Sequence, residues 1–378
     1  MEHYLNTHTL KKNLFNLAGA FALIFLLSSW GYTGHYKITV DTEKSLKNKI
    51  KGFNQWLPFI EDHSSDPDYR KFWVKSEAPR HYIDLDNFPE YLATGVIEIN
   101  YDSLVKKHGE PFIIEQGILP WATIIAFDSL RGCFERNDWH RALLWASDLS
   151  HYVGDGHMPL HATKNYDGQE SDNKGIHLRY ESKMITAFAY SMKGKAQKAN
   201  YIDDVPGFIF NYTIHSNHFC DSIFHSDNRA KQLTGNTDSP EYLAELWKNT
   251  SVMTASQMNK ASGALSSLIY TAWKQAGSPK LDKNFIVEEK DFNGEITSLT
   301  QVPGDSILTV NYQIYQKGPF KLDVRTSDGG PLLKAGKWER EPGSYSANVN
   351  ISTLTGGAYL VVLDCSTYAS TKKFLLLH

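Results

Sequence analysis

Cysteine is scarce: the 378 residues contain three, Cys133, Cys220 and Cys365. So few and so widely spaced, they exclude a disulfide framework and a four-thiolate metal site. An excess of one charge sign is missing too. Lys and Arg total 39 against 42 Asp and Glu, a net charge of −3, so no global basic field captures nucleic acid by electrostatics alone. The chain has no Gly-x-Ser-x-Gly elbow and no Walker-type phosphate loop, which removes the serine hydrolases built on that elbow and the P-loop nucleotide enzymes. Internal repeats and low-complexity stretches are absent as well. What remains, 41% apolar and 21% charged residues, is ordinary globular composition. At roughly 100–200 residues per domain the length predicts about two domains.

Long apolar runs are limited to one. Lys11 and Lys12 precede residues 14–27, apolar except for Asn16, and Ser28 and Ser29 follow. The run is shorter than the about 20 residues that span a bilayer and matches the h-region of a secretory signal peptide. Residues 1–29 are therefore expected to be a signal peptide, cut to leave Trp30 as the first residue of a secreted or cell-surface protein. An uncleaved membrane anchor is the alternative.

Beyond it, apolar spacing of three and four predicts helices over 41–62, 115–136, 138–154, 206–223 and 239–276. Arg136-Asn137-Asp138 is a polar break, 165–175 is a polar loop, and helical pattern resumes at His177. Gly277-Ser278-Pro279 ends the last helix and serves as a linker. After it the period changes to two over 306–316, 319–326, 345–350 and 358–364, with turns at 327–330 and at Gly356-Gly357. The expected architecture is a mainly α-helical domain over 30–278, followed by a small all-β sandwich over 279–378.

The densest chemistry is the stretch from His151 to His161. His151 and Asp155 are four residues apart and share a helix face; His161 follows Pro159, which ends that helix. A second pair of the same spacing is His177 and Glu181. Upstream stand His35, the acids Asp66 and Asp68, and His81, which opens His-Tyr-Ile-Asp. Taken singly, each pair reads as a cap or a surface contact. Together they form a nitrogen and oxygen donor set without thiolate, which suits zinc. His157 points away from the 151/155 face and is expected to be a supporting or surface residue. His140, His215, His218 and His225 lack acidic partners at helical spacing and read as ordinary surface or core histidines.

The order Trp-Gly-x-x-Gly-His from Trp30 to His35, then an Asp, then His81-Tyr-Ile-Asp, then His151-x-x-x-Asp155-x-x-x-x-x-His161, then His177-x-x-x-Glu181 resembles the trinuclear-zinc phosphodiesterases. These are the bacterial zinc-dependent phospholipases C and the fungal and plant single-strand-specific nucleases. The resemblance implies a helical domain and three zinc ions. The first would take Asp68 or Asp66, His81, His151 and Asp155; the second His161, His177 and Glu181. The third would take a bridging Asp155, His35, and the amine and carbonyl of Trp30, an amine that exists only after signal removal. Hydrolysis would proceed by metal-activated water, with Asp68 or Asp66 as the candidate base. The Pro-Asp-Tyr context favours Asp68; a register matched on the preceding helix favours Asp66. Arg70 is a candidate phosphate ligand, at a spacing that departs from the nuclease pattern.

Glu181 in place of the Asp usual in the nucleases, and the lack of an Asn-Leu-His context, favour phospholipid over single-stranded nucleic acid as substrate. A transient membrane surface is then an expected partner. A non-catalytic surface protein stapled by zinc is the alternative from another class. The C-terminal stretch, with Asn348-Val-Asn-Ile-Ser-Thr and Lys372-Lys373-Phe-Leu-Leu-Leu, resembles the sorting domains of type IX secretion. That implies the secretion machinery as a partner, while a generic β-sandwich that binds substrate or membrane is the other possibility.

Overall fold

Caps and breaks written into the sequence decide where the helices start and stop. The computed structural model describes residues 31–378 apart from 48, 72–73, 196, 283–284, 286–292, 303–304, 327–330, 366–368 and 377–378. The expected signal peptide and Trp30 lie outside the described residues. At the 136–138 break, Asn137 takes a left-handed conformation (φ 55°) and closes the helix Leu119–Arg136. The Asp138 side chain then accepts from Arg141 N–H and opens the helix Trp139–Gly156. Asp204 caps Val205–Asn217 and Ser239 caps the long Pro240–Gln275 in the same way.

In chain order the main helices are α1 Gly31–Leu46, α2 Leu57–His63, α3 Asp66–Arg70, α4 Pro89–Thr94, α5 Tyr101–His108, α6 Glu110–Gln116, α7 Leu119–Arg136, α8 Trp139–Gly156, α9 Ile185–Phe188, α10 Val205–Asn217, α11 Cys220–Thr234 and α12 Pro240–Gln275. A π-helix, Leu178–Met184, precedes α9. The helix expected over 41–62 is instead two helices and a 3-10 turn, broken at Gly52, whose φ is 93°. The apolar period runs through the break because Leu46, Ile50, Phe53, Trp56, Leu57 and Ile60 all face one core. Likewise the expected 206–223 helix divides between α10 and α11. Among the described residues no single helix is long and apolar enough to cross a membrane.

Seven strands follow among the described residues. They form two antiparallel sheets, one ordered β1-β2-β5 (Gly294–Gln301, Ile307–Ile314, Gly343–Asn350) and one ordered β4-β3-β6-β7 (Pro331–Arg340, Gly318–Thr326, Gly357–Asp364, Ala369–Leu376). Side chains from both sheets, among them Val310, Tyr312, Leu322, Val324, Val361 and Leu363, fill one shared core. Strands β1, β4 and β7 had no clear period-two signal in the sequence. The continuous run Leu360-Val361-Val362-Leu363 has a physical cause: Val361 and Leu363 face the inter-sheet core, whereas Leu360 and Val362 pack under Tyr69 of α3.

Candidate metal centre

Helix α8 supplies the middle of the site. Its buried His151 and Asp155 project from one face, and residues from α1, α3, the 3-10 turn Ala78–His81, the turn Pro159–Ala162 and the start of the π-helix converge on them. Among the described residues three groups of donors result: His35, His151 and Asp155; Asp68, His81 and His151; His161, His177 and Glu181. Asp155 lies at the hub. One oxygen is 3.4 Å from His35 Nε2, and the other is 3.2 Å from both His81 Nδ1 and His151 Nε2 and 3.8 Å from His161 Nδ1. Asp68 Oδ1 is 3.5 Å from His81 Nδ1 and 3.7 Å from His151 Nε2. Glu181 lies 3.1 Å from His177 Nε2 and 3.4 Å from His161 Nε2.

Backbone carbonyls fix how the imidazoles face. A carbonyl can only accept, so His151 Nδ1 donates to Ser64 O (2.8 Å) and His177 Nδ1 to Tyr166 O (3.2 Å), leaving each Nε2 turned inward. His81 is reversed, with Nδ1 inward and Nε2 3.6 Å from Glu77 Oε1. Gly154 makes room for His35, whose ring stacks on His151 with centroids 4.1 Å apart. A Cβ at position 154 would sit 2.8 Å from His35 Nδ1.

The electrostatics are those of a crowded, water-poor cluster. Burial lifts the Glu181 carboxyl to about 8 and depresses His177 to about 4. Burial also opposes charge on Asp155, yet His151 and His161 hold it well below the carboxylate range. His151 is disfavoured by burial but raised to about 9 by Asp155 and Asp68. Both oxygens of Asp155, both of Glu181, and Nε2 of His161 and His177 are buried with no hydrogen-bond partner among the described residues. Buried polar atoms are normally satisfied. Orphaned nitrogen and oxygen donors that face one another, with no thiolate, fit a divalent metal such as zinc.

The structure also separates the two candidate acids. Asp68 enters the cluster, whereas Asp66 Oδ2 lies 2.9 Å from His63 Nδ1 and takes no place in any of the three groups. Both acids sit in one short helix, and only the direction each faces tells them apart. Arg70, the candidate phosphate ligand, takes no place in the three donor groups. It is held in ion pairs, at 2.8 Å from Asp148 and 3.0 Å from Glu77. His157 is buried rather than on the surface, donating to Val153 O (2.8 Å) and stacked on Tyr212. His215, His218 and His225 are exposed and His140 is half-buried, in keeping with ordinary roles.

Three contributors escaped the sequence reading. Lys71 places Nζ 2.8 Å from Asp68 Oδ1, with its side chain only 8% exposed. Burial would raise the Glu77 carboxyl, but His81 and Arg70 hold it well below its usual value. Glu77 and His81 are themselves a pair at the four-residue spacing, a signal that could have found Glu77. Gly154, the third, had no signal at all without the His35 ring beside it.

No family model matches the chain, and no curated protein matches it. Among solved structures it is similar to the alpha toxin from Clostridium absonum, at 10% identity and a TM-score of 0.41, covering 93% of this chain and 99% of that one. It is similar, too, to the Clostridium perfringens alpha-toxin isolated from avian strain SWCP, at 11% identity and a TM-score of 0.41, with the same coverage of 93% and 99%.

Proposed function

We propose that the protein is a secreted zinc-dependent phosphodiesterase that holds three zinc ions and hydrolyses phospholipids in the manner of a phospholipase C. The observation that carries this reading is the set of buried, partnerless donors around Asp155 and Glu181. Asp68, His81, His151 and Asp155 would hold one ion and His161, His177 and Glu181 a second. His35 and the bridging Asp155 would hold a third, with Trp30 completing it. Zinc bound there would supply positive charge for phosphate oxygens and acidify water near neutrality.

The side chains divide the remaining work. Burial opposes charge on Asp68, but Lys71, His151 and His81 keep its carboxyl below the ordinary range. It therefore stays ionised and accepts a hydrogen bond from the attacking water, which it orients. The Lys71 ammonium beside it is a fixed cation for a non-bridging phosphate oxygen. The carbonyls of Ser64 and Tyr166 hold the His151 and His177 imidazoles in one tautomer and orientation, and the Glu77 carboxylate lies beside His81 as a nearby negative charge. With the metals and Lys71 supplying the charge, no nucleophilic side chain is required. Phospholipid is favoured over single-stranded nucleic acid by Glu181 and by the net charge of −3; a membrane surface is the expected partner, and the β part is the expected element for sorting through type IX secretion.

The test is parallel incubation of the mature protein and zinc with phosphatidylcholine and with single-stranded DNA. Release of phosphorylated headgroup is expected, and release of nucleotide instead would move the substrate to nucleic acid. No product from either substrate, with one zinc per chain, would establish the non-catalytic alternative. His151→Ala should abolish turnover.

A further inference from the structure

Helix α3, Asp66–Arg70, has five residues, far fewer than a helix needs to hold itself in water. Its position, and with it that of Asp68, is set by what it packs against. On one side Arg70 bolts it to Asp148 of α8 and to Glu77. On the other side Tyr69, 2% exposed, packs on Leu360, Val362 and Ala369 of strands β6 and β7.

That sheet face is not an ordinary outer face. Arg325 pairs in register with Leu360 and Asp323 with Val362, so all four project to the same side as Tyr69. Asp323 and Arg325 are 3% and 0% exposed and joined at 2.8 Å. The Arg325 guanidinium lies 5.8 Å from the centre of the Tyr69 ring, within cation–π range. A buried ion pair in the middle of a face that a free-standing sandwich would show to water requires a cover, and the residue lying over it is the neighbour of Asp68 in the chain.

We propose that the C-terminal sheet is a positioning element of the metal centre, in which Arg325 and the apolar face around it hold Tyr69 and thereby set Asp68 against His81 and His151. This rests on the reading of those three residues as metal ligands. The β part is then no removable label, because taking it away frees the helix that carries one donor of the cluster. Tyr69 and Arg325 are positioning residues: neither reaches the site.

Zinc titration of the mature chain, helical and β parts together, against a chromophoric chelator tests this, with three variants. Tyr69→Leu removes the ring. Arg325→Met combined with Asp323→Asn removes both charges together, which avoids stranding one buried ion. Tyr69→Phe keeps the ring and should bind zinc as the wild type does. The first two are expected to weaken one zinc equivalent about ten- to a hundredfold, the range for losing a support of a metal ligand, while leaving the equivalent held by His161, His177 and Glu181 unchanged. A merely structural role would lower the melting temperature and leave zinc affinity of the folded protein alone. If the paired-charge variant does not fold, the two Tyr69 variants carry the comparison. Wild-type zinc affinity in folded Tyr69→Leu overturns the positioning role alone, whereas a wild-type chain that takes up no zinc overturns the metal reading and this proposal with it.

Discussion

The buried polar clusters around Asp227 and around Asp155, both in the helical part, are built on opposite rules. Around Asp227 every charge is answered. Its carboxylate accepts from Arg179 (2.9 Å), Asn173 (2.7 Å), Lys231 (2.9 Å) and the Tyr242 hydroxyl, and these contacts tie the 165–175 loop, the π-helix, α11 and α12 together. Around Asp155 and Glu181, donors crowd at slightly longer distances, yet both oxygens of each carboxylate and Nε2 of His161 and His177 have no hydrogen bonds among the described residues. The first arrangement is a completed network, stabilising because each member is satisfied. The second carries an electrostatic and desolvation cost that only a ligand relieves. Burial and charge alone do not distinguish a staple from a site; satisfaction does.

That contrast predicts effects of opposite sign. Glu181→Gln should reduce hydrolysis about a thousandfold, equivalent to losing several kcal/mol of metal-derived charge stabilisation. The same change should stabilise the zinc-free protein. The Glu181 carboxyl is at about 8 when folded against 4.5 otherwise, so the wild-type glutamate loses its folded-state advantage as pH rises from 4.5 through 8. Denaturant unfolding of the two zinc-free proteins across that window would show the gap widening in favour of Gln; a constant gap would mean that Glu181 is not desolvated as described. Asp227→Ala should do the reverse, costing about 3–5 kcal/mol with or without zinc. Its folded fraction should still bind metal fully. A drop in zinc stoichiometry there would erase the distinction between the clusters.

His157 sharpens the comparison at the boundary of the site. Burial holds it at about 4, so it stays neutral in the fold while the unfolded chain takes a proton near 6.5. Its contribution is complete above pH 6.5 and disappears as pH falls through 4, an acid-side loss of about 3 kcal/mol. His157→Gln should flatten the unfolding free energy over that range without touching zinc uptake. Smallest of all, Gly154→Ala adds one methyl 2.8 Å from His35 Nδ1. The expected outcome is a ten- to hundredfold weaker affinity for a single zinc, as for other displaced supports of a ligand, with the remaining sites intact by calorimetric titration.

Much of the cluster was legible because helical spacing converts directly into geometry. The pairs 151/155 and 177/181 needed only a period, and the resemblance anticipated Asp155 at the hub of the imidazoles. Asp66 and Asp68 did not separate, since two positions on one short turn differ only in what surrounds them. Glu77 had the right spacing and went unread, as did Lys71, three residues after Asp68. In the β part, strands with clear alternation were readable, whereas β4, with Lys334, Gly336 and Lys337 among its residues, had no period to follow. The double burial of β6 was visible as an apolar run, but nothing in the sequence named Tyr69 as its cover.

The covered face of that sheet has a practical side. Splitting the chain at Gly277-Ser278-Pro279 would yield two fragments, each with a freshly wetted seam: one showing Tyr69, the other Leu360 and Val362 around a stranded Arg325–Asp323 pair. Such halves invite self-association, so fragment-by-fragment production is poorly suited to this protein, and the intact polypeptide is the natural unit to purify.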